Sequence, residues 1–326
     1  MYRVALFPSG RSFFVEPGQT ILEAALTAGI TLPYQCANGS CGDCRARIVE
    51  GRARQTEHSD YVFGGADRER PMLLTCRSTP LSDLVIESAL SNDARDIPRQ
   101  HIETTVRARQ LLNDGDILIL TLRTPRSNTL RFLAGQQVSL RITGVGQRNK
   151  SIASCPCNGR DLQFHFRRNR NDAFSEYLFT TADISSPIEV VGPHGELVFD
   201  DTSDRPVILV AYDTGFSAMK SLIEHIISLE NDQPIHLYRI LPGEEEAYLH
   251  NQCRAWADAL NSFRFTELRD TDAEGIVQTI TAHHDPLDDY DIYMALPDAL
   301  TQELEDLLVE RGAWPERIRF DTLSRG

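Results

Sequence analysis

The sequence predicts a multidomain α/β protein built from three successive units: a small α+β unit over residues 1–97, an antiparallel β-barrel over 98–202 and a doubly wound parallel α/β unit over 203–326. Three observations carry that reading. Strand patterns and one capped helix share the first unit. Strand signals alone recur through the second. Strands and helices alternate in the third, as in a parallel sheet with helices on its faces. A chain of 326 residues with 41% hydrophobic content is long enough for two or three such cores.

In the first unit, Tyr2–Phe7 and Ser12–Val15 read as strands joined across Ser9 and Gly10. Thr20, with Glu23 three residues on, forms a capping box. Ile21, Leu22, Ala25 and Leu26 give the helix one apolar face, and Gly29 ends it. Strands are expected at 45–49, 73–75 and 84–86, with Ile97 and Pro98 as a linker. In the second unit, strands at 102–109, 117–122, 137–142, 162–166 and 188–191 have the spacing of a barrel. In the third, strands at 207–211, 235–239 and 292–295 alternate with helices at 218–228, 244–261 and 298–311. The run Glu244-Glu245-Glu246 reads as the charged first turn of its helix, where acidic residues suit the dipole.

The chemistry concentrates between Cys36 and Cys76. Cys36, Cys41 and Cys44 stand four and two residues apart, with Cys76 far downstream, which is the plant-type spacing for a 2Fe–2S cluster. Gly39, Ser40 and Gly42 let the backbone wrap closely and aim amides at thiolate sulfurs. A zinc site usually carries two short paired spacings, and the odd total of seven cysteines fits a disulfide framework poorly. The net charge of −14 argues against direct nucleic-acid binding, which needs a basic surface. No apolar run has membrane-spanning length and no signal-peptide pattern is present, so the expected compartment is the cytoplasm, whose reducing setting suits thiols and a cluster.

The cysteine spacing and element order of the first unit resemble the β-grasp ferredoxin domain. With the other two units, the whole chain resembles the iron–sulfur flavoprotein reductases of bacterial ring-hydroxylating oxygenases, in the ferredoxin–NADP reductase superfamily. That resemblance implies FAD in the barrel, a nicotinamide nucleotide on the third unit, and electrons entering as hydride and leaving singly through the cluster. It implies cluster ligation by Cys36, Cys41, Cys44 and Cys76. The family's flavin motif has an Arg on the FAD phosphates and a Tyr stacked on the ring, followed by a Ser. This chain keeps Arg148 and Ser151 and has Lys150 at the aromatic position. The stacking contact so lost is worth roughly 0.5–1.5 kcal/mol, which leaves FAD binding expected. A Lys150 charge beside the ring is expected to favour anionic reduced flavin. His165 and Arg167 fit the motif, and Ser175 remains from the second phosphate motif, here Asn171-Asp172-Ala173-Phe174-Ser175, opening a helix whose amides are expected to hold pyrophosphate.

The nucleotide unit departs from the family. Where relatives have Gly-Gly-Thr-Gly, this chain has Tyr212-Asp213-Thr214-Gly215, so Tyr212 and Asp213 are expected to fill the space a dinucleotide approaches. A carboxylate about 4 Å from a phosphate charge at a partly screened site repels it by on the order of 4 kcal/mol. Leu241-Pro242 replaces an Arg or Ser, Ala295-Leu296 replaces a Cys-Gly pair facing the nicotinamide, and Leu323 replaces the aromatic that covers the flavin.

Other residues receive plainer readings. Cys155-Pro156-Cys157 reads as a Pro-stiffened loop with two incidental thiols, and Cys253 as buried in a helix. His283-His284-Asp285 reads as a solvated loop, and Trp256 and Trp314 as core anchors. Two functions remain open. One is a reductase-like iron–sulfur flavoprotein that is poor with NAD(P)H, exchanges electrons with a ferredoxin or similar electron-transfer protein, and reports redox state to a transcription regulator. The other is an ordinary NAD(P)H-dependent reductase component of an aromatic-ring oxygenase.

Overall fold

Three main sheets follow one another along the chain, with a two-stranded ribbon beside the first. The computed structural model describes all residues except 35–38, 40–41, 56–61, 64–70, 91–96, 127, 159, 231, 245 and 324–326. The first sheet has the order β2-β1-β7-β3-β5, with β1 (Tyr2–Phe7), β2 (Ser12–Val15), β3 (Arg45–Glu50), β5 (Met72–Leu74) and β7 (Leu84–Glu87). The ribbon pairs β4 (Ala53–Gln55) with β6 (Ser78–Pro80). Helix α1 (Ile21–Thr27) lies on the sheet, and its Ile21, Leu22, Ala24 and Ala25 share a core with Val4, Leu6, Phe13 and Ile86. Both bonds of the Thr20–Glu23 capping box form. After α1 the chain turns at Gly29, whose φ of +67° is the left-handed conformation that glycine adopts without a Cβ penalty.

The second sheet is antiparallel, in the order β11-β10-β13-β8-β9-β12. Its strands are β8 (Gln100–Leu112), β9 (Ile117–Arg123), β10 (Gln137–Ile142), β11 (Gly146–Ser151), β12 (Asp161–Arg167) and β13 (Pro187–His194). A register shift between Val106 and Ala108 bends the long β8 around the core. The two ends of the sheet meet just beyond β11, where Ala153 N–H donates to the Gln163 carbonyl at 2.7 Å and closes the barrel. Strand β11 is too polar to read as a strand from its sequence, and it exists because β10 offers it a full antiparallel edge.

The third sheet is wholly parallel, in the order β16-β15-β14-β17-β18. It comprises β14 (Val207–Tyr212), β15 (Ile235–Leu241), β16 (Phe263–Arg269), β17 (Asp291–Pro297) and β18 (Ile318–Leu323). A four-residue helix in the barrel, α2 (Ala173–Glu176), precedes this sheet. The sheet's own helices are α3 (Phe216–Ser228), α4 (His250–Ala259), α5 (Ala273–His283) and α6 (Asp298–Glu310). The strand order reverses between β14 and β17, where open sheets of this kind hold ligands at the carboxyl ends of their strands. Gly215 lets α3 start there, since a Cβ would lie 2.3 Å from the Ala295 carbonyl oxygen.

Three expectations fail. The helix expected over 244–261 begins only at His250, because Leu249 sits at φ +56° and the chain is not helical before it. Glu244 and Glu246 therefore precede the helix instead of forming its first turn. Trp314 is no core anchor, being 50% exposed with the Arg317 guanidinium 5.8 Å from its ring, whereas Trp256 is buried. His283 and His284 do not stand in a loop of their own but pack against His236, with His284 Nε2 2.9 Å from His236 Nδ1 and His283 Nδ1 3.2 Å from the Tyr238 hydroxyl. No metal-holding group of three such ligands occurs among the described residues, and none of their helices is long and apolar enough to cross a membrane.

His225, on α3 with its ring edge on Phe199, is buried, and Nδ1 has no partner among the described residues. Burial, with Arg11 nearby, lowers its pKa to about 4. The folded protein then keeps this imidazole neutral while the unfolded chain takes up a proton below about pH 6.5, so stability present above that pH is lost as pH falls toward 4. His225→Phe should remove about 2 kcal/mol of the stability lost between pH 7 and 5. Thermal unfolding of both proteins at the two pH values checks this, and equal losses would refute it.

Candidate functional site

Strands β3 and β5 bring two of the four predicted cluster ligands together. Cys44 precedes β3 and Cys76 follows β5, and the Thr75 N–H donates to the Cys44 carbonyl at 3.0 Å. The two sulfurs lie 3.1 Å apart and both residues are buried. Two adjacent buried sulfurs on a rigid sheet edge suit a thiolate-ligated cluster. Gly42, at φ +85°, has no room for a side chain, since a Cβ would stand 2.5 Å from Val62 Cγ1. Cys36 and Cys41 lie outside the described residues.

The barrel's closure gathers the predicted flavin residues. Arg148, Lys150 and Ser151 are on β11, His165 and Arg167 on β12, and Ser175 in α2. Arg148 forms an ion pair with Asp172, its guanidinium lies 5.8 Å from the Phe174 ring, and its buried Nε has no partner among the described residues. Lys150 is half-buried with Nζ 5.1 Å from the Phe166 ring. Burial lowers its pKa, against the nearby Asp213 carboxylate, which acts to raise it. Ser151 donates to Asp321 at 2.9 Å. His165 is 1% exposed, with Nδ1 3.0 Å from the Tyr248 hydroxyl and Nε2 3.2 Å from Gln163 Oε1. Burial, then Lys220 and Arg239, holds its pKa well below the usual imidazole range, so the ring is neutral.

The helix that contains Ser175 is capped from within the chain. Asp172 is that helix's N-cap, and its carboxylate accepts the Ser175 N–H at 3.0 Å. Ser175 Oγ is itself engaged by the Asn169 N–H at 2.9 Å. One carboxylate thus takes up both the helix terminus and the Arg148 guanidinium.

A second carboxylate crosses between the barrel and the parallel sheet. Asp213, at φ +47° on the loop after β14, accepts Arg167 Nε at 2.6 Å and Nη2 at 2.8 Å, a bidentate pair. The side chain of Asp213 is 11% exposed. Tyr212 does not fill the same space, because it packs with the apolar core on the α5 and α6 face of the sheet. Leu323, Lys150, Ser151, His165, Thr214 and Asp321 line a cleft of about 50 Å³ between the two units. Ala295 and Leu296 are fully buried in β17, and Leu241 is buried too.

Two residues that matter here were not singled out in the sequence. Asp321, on β18, accepts from Ser151 and from Gln137 Nε2 at 2.8 Å, and burial raises its pKa. Arg239 is 1% exposed, lies 4.1 Å from the Phe216 ring and 5.1 Å from the Tyr248 ring, and its Nε and Nη2 have no partner among the described residues. A charged residue inside the apolar run of β15 was the available signal for it.

Residues 4–81 match the family model described as a 2Fe-2S iron-sulfur cluster binding domain. The chain is 30% identical over 248 residues to the reductase component of phenol 2-monooxygenase from Pseudomonas sp. (strain CF600), covering 76% of this chain and 70% of that one. It is 28% identical over 324 residues to the ferredoxin–NAD(+) reductase component of the alkene monooxygenase system of Xanthobacter autotrophicus, covering 96% and 98%. A solved structure of the ferredoxin reductase in carbazole 1,9a-dioxygenase superposes with a TM-score of 0.59 at 23% identity, over 98% of both chains. A β-grasp unit with paired buried cysteines, an antiparallel barrel and a parallel sheet make an electron-transfer flavoprotein architecture. The chain belongs to the ferredoxin–NADP reductase superfamily, among its iron–sulfur flavoprotein reductases, a family whose cofactors are a 2Fe–2S cluster and FAD.

If Asp172 competes with a phosphate for Arg148, Asp172→Asn, which keeps the helix cap, should lower the Kd for FAD roughly tenfold. Arg148→Ala should raise it by at least as much. Fluorescence titration of apoprotein with FAD measures both, and weaker binding by Asp172→Asn would contradict the competition.

Proposed function

We propose that this chain moves electrons between FAD and a 2Fe–2S cluster, accepts hydride from NAD(P)H poorly, and exchanges single electrons with a partner ferredoxin. Cys36, Cys41, Cys44 and Cys76 would hold the cluster. Arg148, with its guanidinium at the edge of β11 beside Asp172, would hold FAD phosphate, with Ser151 and Lys150 toward the ring and Ser175 in the supporting turn. His165 and Arg167 back the same face of the barrel. When bound, the two cofactors supply exchange between a two-electron and a one-electron carrier.

The observation that carries the reading is the Asp213–Arg167 pair. It joins the barrel to the first loop of the parallel sheet, one residue before Thr214, which lines the cleft with Lys150 and Leu323. Hydride transfer needs a nicotinamide seated in near-attack geometry, and positioning alone lowers such barriers by roughly 7–11 kcal/mol. A dinucleotide approaching the end of β14 meets a carboxylate where its own charge is negative, and Arg167 is already satisfied. One-electron exchange needs only proximity, and the cluster-bearing unit retains all four cysteines.

A second reading, an NAD(P)H-dependent oxygenase reductase component, is favoured by the match to the Xanthobacter reductase over nearly the whole of both chains. Anaerobic stopped-flow absorbance separates the two. Reduced ferredoxin should bleach the flavin at least tenfold faster than NADH or NADPH at equal driving concentration. Asp213→Gly, which also suits the left-handed backbone there, should raise the NAD(P)H rate by roughly tenfold or more. Fast bleaching of the unaltered protein by NADH would establish the second reading instead.

A further inference from the structure

Cys155 and Cys157 are joined as a disulfide enclosing only Pro156, not left as two incidental thiols. The stabilisation a disulfide brings by restricting the unfolded chain grows with the length of loop it closes, so this one contributes little as a staple. Its surroundings explain more. The segment leading into it lies along α3: Lys220 Nζ donates to the Ala153 carbonyl at 3.3 Å and Ser221 Oγ to the Ser154 carbonyl at 2.9 Å. The Cys155 N–H donates to Glu224 Oε2 at 3.2 Å, and Cys155 Sγ lies 3.9 Å from Ser228 Oγ. The turn Pro156–Asn158 also packs against α1 of the β-grasp unit. At the same spot Gly29, just past α1, abuts the end of α3 so closely that a Cβ would stand 2.6 Å from Ser228 Oγ. The disulfide therefore sits where the barrel, the parallel sheet's first helix and the cluster-bearing unit meet.

The two sulfurs are not equivalent. Cys155 is 1% exposed, whereas Cys157 is only half-buried. Cys155 Sγ accepts the Cys157 N–H at 3.1 Å and has the Ser228 hydroxyl nearby, so negative charge released on it meets donors already in place. Attack at Cys157 with departure of Cys155 is the direction this geometry favours.

We infer that Cys155–Cys157 is a thiol–disulfide exchange site, opened by a dithiol reductant, whose state sets how firmly the β-grasp unit is seated on the rest of the protein. A thiolate of the reductant attacks Cys157 Sγ, the Cys155–Cys157 bond breaks, and Cys155 leaves as thiolate and takes a proton. The reductant's second thiol then displaces Cys157 and closes the reductant's own disulfide. The dithiol loses two electrons and two protons, and the two cysteine sulfurs gain them. The released pair no longer holds the turn against α1 and the end of α3.

The test uses the full holoprotein purified in air, with dithiothreitol as the dithiol. After iodoacetamide and trypsin, the peptide spanning 151–160 should carry no alkyl group before reduction and two after it. In hydrogen-exchange mass spectrometry, residues 21–30 and 225–229 should exchange roughly tenfold faster after reduction. The variant carrying Cys155→Ser and Cys157→Ser should exchange at the fast rate with or without dithiothreitol. Two alkylated cysteines before reduction, or a pair that millimolar dithiothreitol leaves closed, would overturn the exchange site. An opened pair with unchanged exchange at 21–30 would overturn its effect on seating. Either failure leaves the flavoprotein reading untouched, since that rests on Arg148, Asp213 and the cluster cysteines.

Discussion

A carboxylate taken most of the way out of water needs a cation, and Asp213 finds its cation on another structural unit. The bidentate bond from Arg167 ties the barrel's β12 to the loop after β14. Breaking a pair of this kind by removing one partner costs more than the pair contributes, because the other charge is left stranded. Asp172 repeats the same logic on the barrel, where it takes up both Arg148 and a helix terminus. Two cations that would suit phosphates are each held by a carboxylate of the same chain, which gives a family fold with a changed charge pattern at its ligand-binding face.

Among the described residues, several contacts seat the β-grasp unit on the rest of the chain, including the turn 156–158 against α1. Arg11 pairs with Asp201, Arg131 Nη1 reaches the Tyr34 carbonyl at 3.5 Å, and Gly29 abuts Ser228 and Leu229. Tyr34 stands two residues before Cys36, the first cysteine of the predicted ligand set. Polar contacts such as these contribute modestly each.

Much of the architecture was legible because the governing signals are local. The capping box of α1, the glycine that follows it, the alternation in β1 and β2, and the spacing of the four cysteines each depend on a few neighbouring residues. What could not be read depends on tertiary context. β11 is a strand because β10 pairs with it, and β16, α5 and β18 carry mixed patterns that the sheet stabilises. The acidic run 244–246 looks like a helix start, yet the left-handed Leu249 delays the helix to His250. Arg148, Lys150, Ser151, His165, Arg167 and Ser175 come from β11, β12 and α2, while the carboxylates that answer them, Asp172, Asp213 and Asp321, come from separate elements. No spacing rule links Arg167 to Asp213 across 46 positions of chain.

In the function proposed above, Asp213 and its partner deny a nicotinamide dinucleotide its seat. Calorimetric titration of the oxidised holoprotein with NADH, done without oxygen and at low ionic strength, should then show no saturable heat below about 1 mM, the upper end of ordinary substrate affinities. Saturation in the micromolar range, with one nucleotide bound per chain, would contradict it.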